Sequence, residues 1–381
     1  MQLGSLSEEQ TALIRHLSLL PDTGVFKQYF KTWLHLDNLN QTNKLIHYGY
    51  AGEDTNNRKV YLHPMIAEIV RNETTPSTSN CKVMLDALHQ ICLVHGLEVG
   101  RPATILACLQ SINRHIVWDM PEYDLRFLQN IFPYFMKYGE YDYSMELIQR
   151  IEQKMTDSGI CDSADKALIL DYKAALFMIQ KQYDNAIKKR NKAITILEKE
   201  HTRDAPLRTA LLLSNLHSNL AQTYLLLNKP KECEQELRTA LDIRMEYNHY
   251  EEMRNHDLLQ QLLIYITLLI DKKEFDHATS VLSRYETIVT EAEGTSTVDY
   301  GMIQFCHGLI HLGQLKPALA EDALLKAKVI FENLLGTENA YTKSCYRYLH
   351  NLYSRWKGHE KLAGEYKRLL SVYRKDLSAH D

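Results

Sequence analysis

Residues 272–281 read KKEFDHATSV: two lysines and a glutamate, then an aromatic, then apolar residues at helical spacing. The same look returns in YGEYDYSMEL (138–147), KQYDNAIKKR (181–190), NKPKECEQEL (228–237), GQLKPALAED (313–322) and KGHEKLAGEY (357–366). With Tyr141, Tyr183, Pro230, Phe275, Leu315 and His359 taken as the turn positions, the steps are 42, 47, 45, 40 and 44 residues. A pair of helices repeated at that spacing cannot bury its apolar face alone. Stacked on its neighbours, it builds one continuous core, so the stretch predicts an α-α solenoid.

Composition agrees. The 381 residues are too many for one ordinary compact core. Helix-forming Leu, Ala, Lys, Glu and Gln dominate, while Gly (15) and Pro (9) are scarce. The 44 basic and 48 acidic residues are well mixed, and a net charge of −4 gives no global field for nucleic acid or an anionic membrane. The seven cysteines, at 81, 92, 108, 161, 233, 306 and 345, include no C-x-x-C pair and fall mostly inside apolar helical patterns. That usage fits buried, reduced thiols and a cytoplasmic location. The N-terminal MQLGSLSEEQ has neither a basic n-region nor an apolar h-region. The most apolar window, Leu258–Ile270, has 13 residues and reads as a buried helix rather than a membrane span.

The first 70 or so residues follow a different pattern. Ser7 and Gln10 have capping-box spacing, and Leu13, Ile14, Leu17 and Leu20 follow on one helix face until Pro21-Asp22. A second short helix is expected to carry Val25, Phe26, Phe30 and Trp33, and a third to run from about Leu39 to Tyr48. GYAGED and RKVYLH then form two extended runs joined at Asp54–Asn57. Three helices and a hairpin make a winged-helix pattern. His63-Pro64 sits where the last strand hands over to a helix, and proline suits a first helical position because its missing N–H has no partner there. The chain divides near the small, polar run 72–80 (NETTPSTSN), which reads as a linker or loop. The expected domains are 1–75, a winged helix; 76–120, a helical adaptor or degenerate repeat; and 121–381, the repeat solenoid. The expected fold class is mainly α, with a small α+β segment in front.

No motif of catalysis stands in the chain. The glycines nearest to a phosphate loop, Gly96 and Gly100 in GLEVGR, lack both its spacing and its lysine. His307 and His311 lie four apart beside Cys306, but no third metal ligand accompanies them, so they read as repeat-helix histidines. The run Lys188-Lys189-Arg190-Asn191-Lys192 reads as a solvated helix face, with a rim for an acidic ligand as the alternative. The expectation is a non-enzyme without cofactor or metal.

The helical units resemble tetratricopeptide repeats, in the long form of kinesin light chains. Leu220, Ala221, Tyr224 and Ala240 match the motif in one unit, Tyr183, Ala186 and Ala193 in another, and Phe275 and Ala278 in a third. Of the units, LGTENAYTKSCYRYLHNLY (335–353) most resembles the kinesin-light-chain type. Cys233 stands where the family has a small alanine, and several units lack the glycine. The resemblance implies that first helices line a concave groove, with Asn215, Ser218, Asn219 and Gln222 facing a peptide or protein ligand. It also implies that Asn219 grips a ligand backbone, a task that suits an amide able both to donate and to accept. The alternative for these four is an ordinary polar face.

LSLLPDTGV (17–25), LIHYGYAGED (45–54) and LHPMIAEIV (62–70) resemble the winged-helix domain of STAND-class signalling ATPases. In that class the domain follows a nucleotide-binding domain, and a repeat array after it senses the trigger. The resemblance implies that His63 reaches the ADP phosphates held by the nucleotide-binding domain of the same intact protein, and that the chain is a C-terminal portion. A helix-capping histidine is the alternative. The rival to the whole reading is a free-standing DNA-binding regulator with a peptide-sensing repeat domain; a plain scaffold is a third. The third helix, with one lysine and no arginine, makes nucleic acid an unlikely partner, and no membrane is expected.

Overall fold

The computed structural model describes residues 3–54, 56, 58–93, 102–199, 206–247 and 256–376. Gly96 and Gly100, and Thr55 and Asn57 of the expected hairpin turn, lie outside them. The described residues form eighteen α-helices and one small sheet, so the fold is mainly α. The chain divides into two compact units, residues 1–165 and 166–381.

The first unit opens with α1 (Glu8–Ser18). The Ser7 side chain accepts from the Gln10 amide, and Gln10 answers by accepting from the Ser7 N–H. There follow β1 (Val25–Phe26), α2 (Lys27–Trp33), α3 (Asn40–His47), β2 (Gly52–Asp54), β3 (Lys59–Tyr61) and α4 (Pro64–Thr74). The sheet is antiparallel in the order β1-β3-β2, with Val25 and Glu53 both opposite Val60. Ile14, Phe30, Trp33, Leu45, Val60 and Val70 are fully buried around it. Val25 and Phe26, expected in the second helix, are a strand instead. Gly24, at φ +72°, turns the chain onto β3 so closely that a Cβ there would sit 2.8 Å from the Val60 carbonyl oxygen.

The run 72–80, expected as a linker or loop, ends α4 and then bonds to residues 117–119. Pro76 and Thr78 pair with Val117 through backbone hydrogen bonds, and Ser79 donates from both its N–H and its hydroxyl to Asp119. Thr78 and Cys81 are fully buried. Small polar residues here tie the run to a segment about 40 residues further along the chain. The expected boundaries at 75/76 and 120/121 fall inside the first unit, which continues through α5 (Lys82–Leu93), α6 (Pro102–His115), α7 (Pro121–Lys137) and α8 (Tyr141–Ser158).

The second unit begins within α9 (Ser163–Ile179) and continues as α10 (Tyr183–Glu198), α11 (Leu207–Leu226), α12 (Pro230–Glu246), α13 (His256–Asp271), α14 (Phe275–Glu293), α15 (Val298–Gly313), α16 (Pro317–Leu335), α17 (Ala340–Arg355) and α18 (Glu360–Asp376). From α7 onward the helices come in six pairs, five of them joined by one turn type. Two residues before each second helix stands a left-handed residue: Gly139, Lys181, Asn228, Lys273, Leu315 and Gly358. At Lys273 the N–H bonds back to the Ile270 carbonyl and the next N–H to that of Leu269. This is a Schellman closure, which satisfies carbonyls the helix end would orphan, and the turns at 139, 181, 228 and 315 share it. Five residues after each left-handed position stand Ser144, Ala186, Cys233, Ala278, Ala320 and Ala363, all buried, where paired helices come close.

A left-handed residue with a Cβ costs about 1–2 kcal/mol, and glycine gives back about 0.4–1 kcal/mol through its looser unfolded chain. Lys181→Gly and Lys273→Gly should therefore each stabilise the second unit by about 0.5–1 kcal/mol. An unchanged or lower urea midpoint would contradict the turn geometry.

Candidate functional site

The polar residues of α11 are the first place to look for a ligand surface. Arg190, on α10, is 5% exposed. Its Nε donates to Asp171 Oδ1 on α9 at 2.9 Å, and one Nη donates to the Asn219 carbonyl at 2.9 Å and to Thr223 Oγ1 at 2.6 Å, both on α11. The Asn219 amide donates to the other Asp171 oxygen at 3.0 Å. One carboxylate and one guanidinium thus tie three successive helices together. The lysines around Arg190 in sequence are exposed or half-buried. The expectation of a wholly solvated basic face fails at Arg190, because this residue lies on the buried side with Ala186 and Ala193.

The four residues expected in the groove occupy different settings. Asn219 is half-buried, its amide N–H committed to Asp171. Asn215 accepts from the buried Arg244 of α12 at 2.7 Å. Ser218 is buried at 3% exposure, and Gln222 is exposed. Asn215 and Asn219 therefore present partly engaged amides and Gln222 a free-facing one. Sequence reasoning missed Asp171 and Arg190, although the helical spacing of Arg190 with buried alanines was the available signal. Further along, His307 Nε2 lies 2.9 Å from a Glu286 oxygen, and its ring stacks at 6.2 Å on that of His311. Beside them, burial pushes the Cys306 thiol up to about 12, so this sulfur is no thiolate at neutral pH. Among the described residues no group of three or more His, Cys, Asp or Glu converges as metal ligands, and no helix is long and apolar enough to cross a membrane.

In the first unit, His63 is the N-cap of α4. Its Nδ1 accepts from the Met65 N–H at 3.4 Å, and Pro64 takes the first helical position. A neutral imidazole that accepts at Nδ1 carries its proton on Nε2, so the exposed ring offers a donor outward. Beyond Pro64 lies a hollow of 320 Å3 that Arg71, Arg114, His115 and one carboxylate, Asp22, help to line. Burial, with the charges of Arg71 and Arg114 behind it, holds the His115 imidazole below its ordinary value. The capping role and an outward donor coexist at His63.

No protein-family model matches the chain, and no curated protein matches its sequence. Solved structures share its fold. One is a Signal Transduction ATPase with Numerous Domains (STAND) protein with a tetratricopeptide repeat sensor from Pyrococcus horikoshii. It matches 98% of this chain at a TM-score of 0.57 and 16% identity, and this chain spans 52% of it, about half its length. Another is aspartyl phosphate phosphatase F from Bacillus subtilis, matched over 98% of this chain and 96% of that one at a TM-score of 0.52 and 15% identity. At such identities the likeness is one of fold: a mainly α chain with tetratricopeptide-like helical repeats.

Proposed function

We propose that the chain is the non-catalytic sensor and regulatory portion of a STAND-type signalling ATPase. In this reading residues 1–75 act as its winged helix, and the repeats bind a peptide or protein. The observation that carries the reading is continuity: both parts of this chain, over 98% of its length, match about half of the archaeal STAND protein. His63 supports it from the other side, as an exposed imidazole placed on a helix cap, with two arginines lining the hollow beyond Pro64. The intact protein then supplies a nucleotide-binding domain, and His63 donates from Nε2 to the ADP phosphates.

One charge-assisted hydrogen bond is worth about 1.5–3 kcal/mol, roughly ten- to a hundredfold in ADP retention. His63→Ala also removes a helix cap, so His63→Asn is the cleaner variant: it keeps a capping acceptor while withdrawing the imidazole. Both should loosen ADP in the intact protein to that extent, with the Asn variant as stable as the parent. Equal retention would leave His63 a cap alone. An in-frame stop codon directly upstream of Met1, in place of a frame encoding a phosphate-binding loop, would overturn the proposal itself.

The second reading is a free-standing regulator whose first unit binds DNA. The likeness in fold to the Bacillus protein, over 96% of that protein's own length, supports keeping this reading beside the first. The α3 surface speaks against DNA. Its exposed residues are Asn40, Asn43, Lys44 and His47, and nearby Lys27 is neutralised by Glu53 at 2.5 Å. Binding to duplex DNA at physiological salt should be non-specific and about micromolar or weaker. Nanomolar, sequence-selective binding in an anisotropy titration would decide for the second reading.

A further inference from the structure

A cleft of 450 Å3 opens in the second unit beside the turn from α15 to α16. Leu312, Leu315 and Pro317 line it together with Tyr348, Leu352 and Trp356 of the α17 segment. Pockets of this size and apolar lining suit an inserted side chain. The turn residue is the first clue. At the equivalent left-handed position the other five turns place Gly139, Lys181, Asn228, Lys273 and Gly358, which are small or polar. Here stands a leucine, at φ +58° and 87% exposed. It is unfavourable twice over, as a branched side chain in left-handed backbone and as an apolar side chain in water. Strain of that kind at a surface points to a use.

Charge supplies the second clue. Lys316 and Arg355 line the same cleft, Asn351 lies with them, and no carboxylate does. Among the described residues neither cation has a side-chain ion pair, in a chain whose net charge is −4. Trp356 closes the cleft with its ring stacked at 4.2 Å on His359, which holds the indole as a fixed wall. Apolar walls alone would take any hydrophobe. Two unpaired cations on the rim admit an acidic one and repel a basic one.

We propose that this cleft docks an acidic peptide segment of a partner protein, with one large apolar side chain lodged between Leu315 and Trp356 and carboxylates set against Lys316 and Arg355. The site uses α15 to α17, not the α11 face, and it stands whether or not the chain belongs to a STAND ATPase.

The test is selection of a randomised octapeptide library on the full chain. The strongest peptide is then labelled with fluorescein and its anisotropy titrated. Enrichment of peptides that join a large apolar residue to Asp or Glu is expected. Their binding should weaken about tenfold or more in Lys316→Glu/Arg355→Glu, and equally in Leu315→Gly. The second variant relaxes the backbone while removing the apolar wall, so loss of binding there cannot come from unfolding. Failure to enrich, enrichment of basic peptides, or unchanged binding by both variants would overturn the proposal.

Discussion

Asp171→Ala should lower the stability of the second unit by about 3–5 kcal/mol, the cost of stranding a buried charge. Arg190 would keep only the Asn219 carbonyl and the Thr223 hydroxyl as partners, both neutral, in a setting where the residue is 5% exposed. A domain's whole stability is about 5–15 kcal/mol, so the loss is a large share of it. Because Arg190 bonds to α9 and α11 at once, hydrogen exchange should quicken over all three helices from α9 to α11. Replacing both partners by apolar residues, Asp171→Leu with Arg190→Met, should restore most of the loss, since the cost lies in the unpaired charge rather than in the absence of the pair. If the double variant is as unstable as Asp171→Ala, the network acts by shape and not by charge.

The same bonds bear on the proposed ligand face. Asn219→Ala removes the amide that donates to Asp171, so a loss of about 0.5–1.5 kcal/mol in stability is expected before any ligand is added. Gln222 is the better probe of binding there, because it is exposed.

How much of this was legible depended on the distance over which each feature is decided. The capping box at Ser7 and Gln10 was readable because four consecutive residues settle it. Of the six residues taken as turn positions, Leu315 and His359 stand in the turns themselves, whereas Tyr141, Tyr183, Pro230 and Phe275 are the first residues of the helices that follow. The slip has a physical cause. The turns are defined by a left-handed residue, and glycine marks that residue only at 139 and 358. β1 was not legible, because two residues are a strand only by virtue of Val60, far along the chain. The Asp171–Arg190 pair was hidden in a run of cations that looks solvated as a string. Anchoring the helix on Ala186 and Ala193 would have turned Arg190 inward. Of the candidate site, the position of His63 on a strand-to-helix junction was readable; the engagement of Asn215 and Asn219 by Arg244 and Asp171 was not, because it depends on neighbouring helices.

Gly308→Val should destabilise the second unit by about 2–3 kcal/mol, and the reason lies in how closely α15 and α16 approach. Gly308 stands seven residues before its turn residue, as Ala174 and Ala221 do before theirs, and both alanines are fully buried. At 308 even one carbon is too much: a Cβ would lie 2.7 Å from both Cγ and Cδ2 of Leu324. Leu324 cannot swing aside freely, since it is fully buried in a cluster with Phe305, Phe331 and Tyr346. Overpacking a core of this kind costs about 1–3 kcal/mol. For Gly308→Ala the better helix propensity returns nearly 1 kcal/mol, so that variant should fall only slightly. Valine keeps part of that gain but adds two methyl groups to the same clash and stiffens χ1 against the preceding turn. The decisive measurement is a double-mutant cycle on urea midpoints. Leu324→Ala alone should cost about 2–5 kcal/mol as a cavity, yet in the Gly308→Val background it should cost much less, because the valine fills the space the leucine leaves. Strict additivity would mean that the two side chains never compete, and the close approach of α15 and α16 would then have to be set elsewhere along the pair.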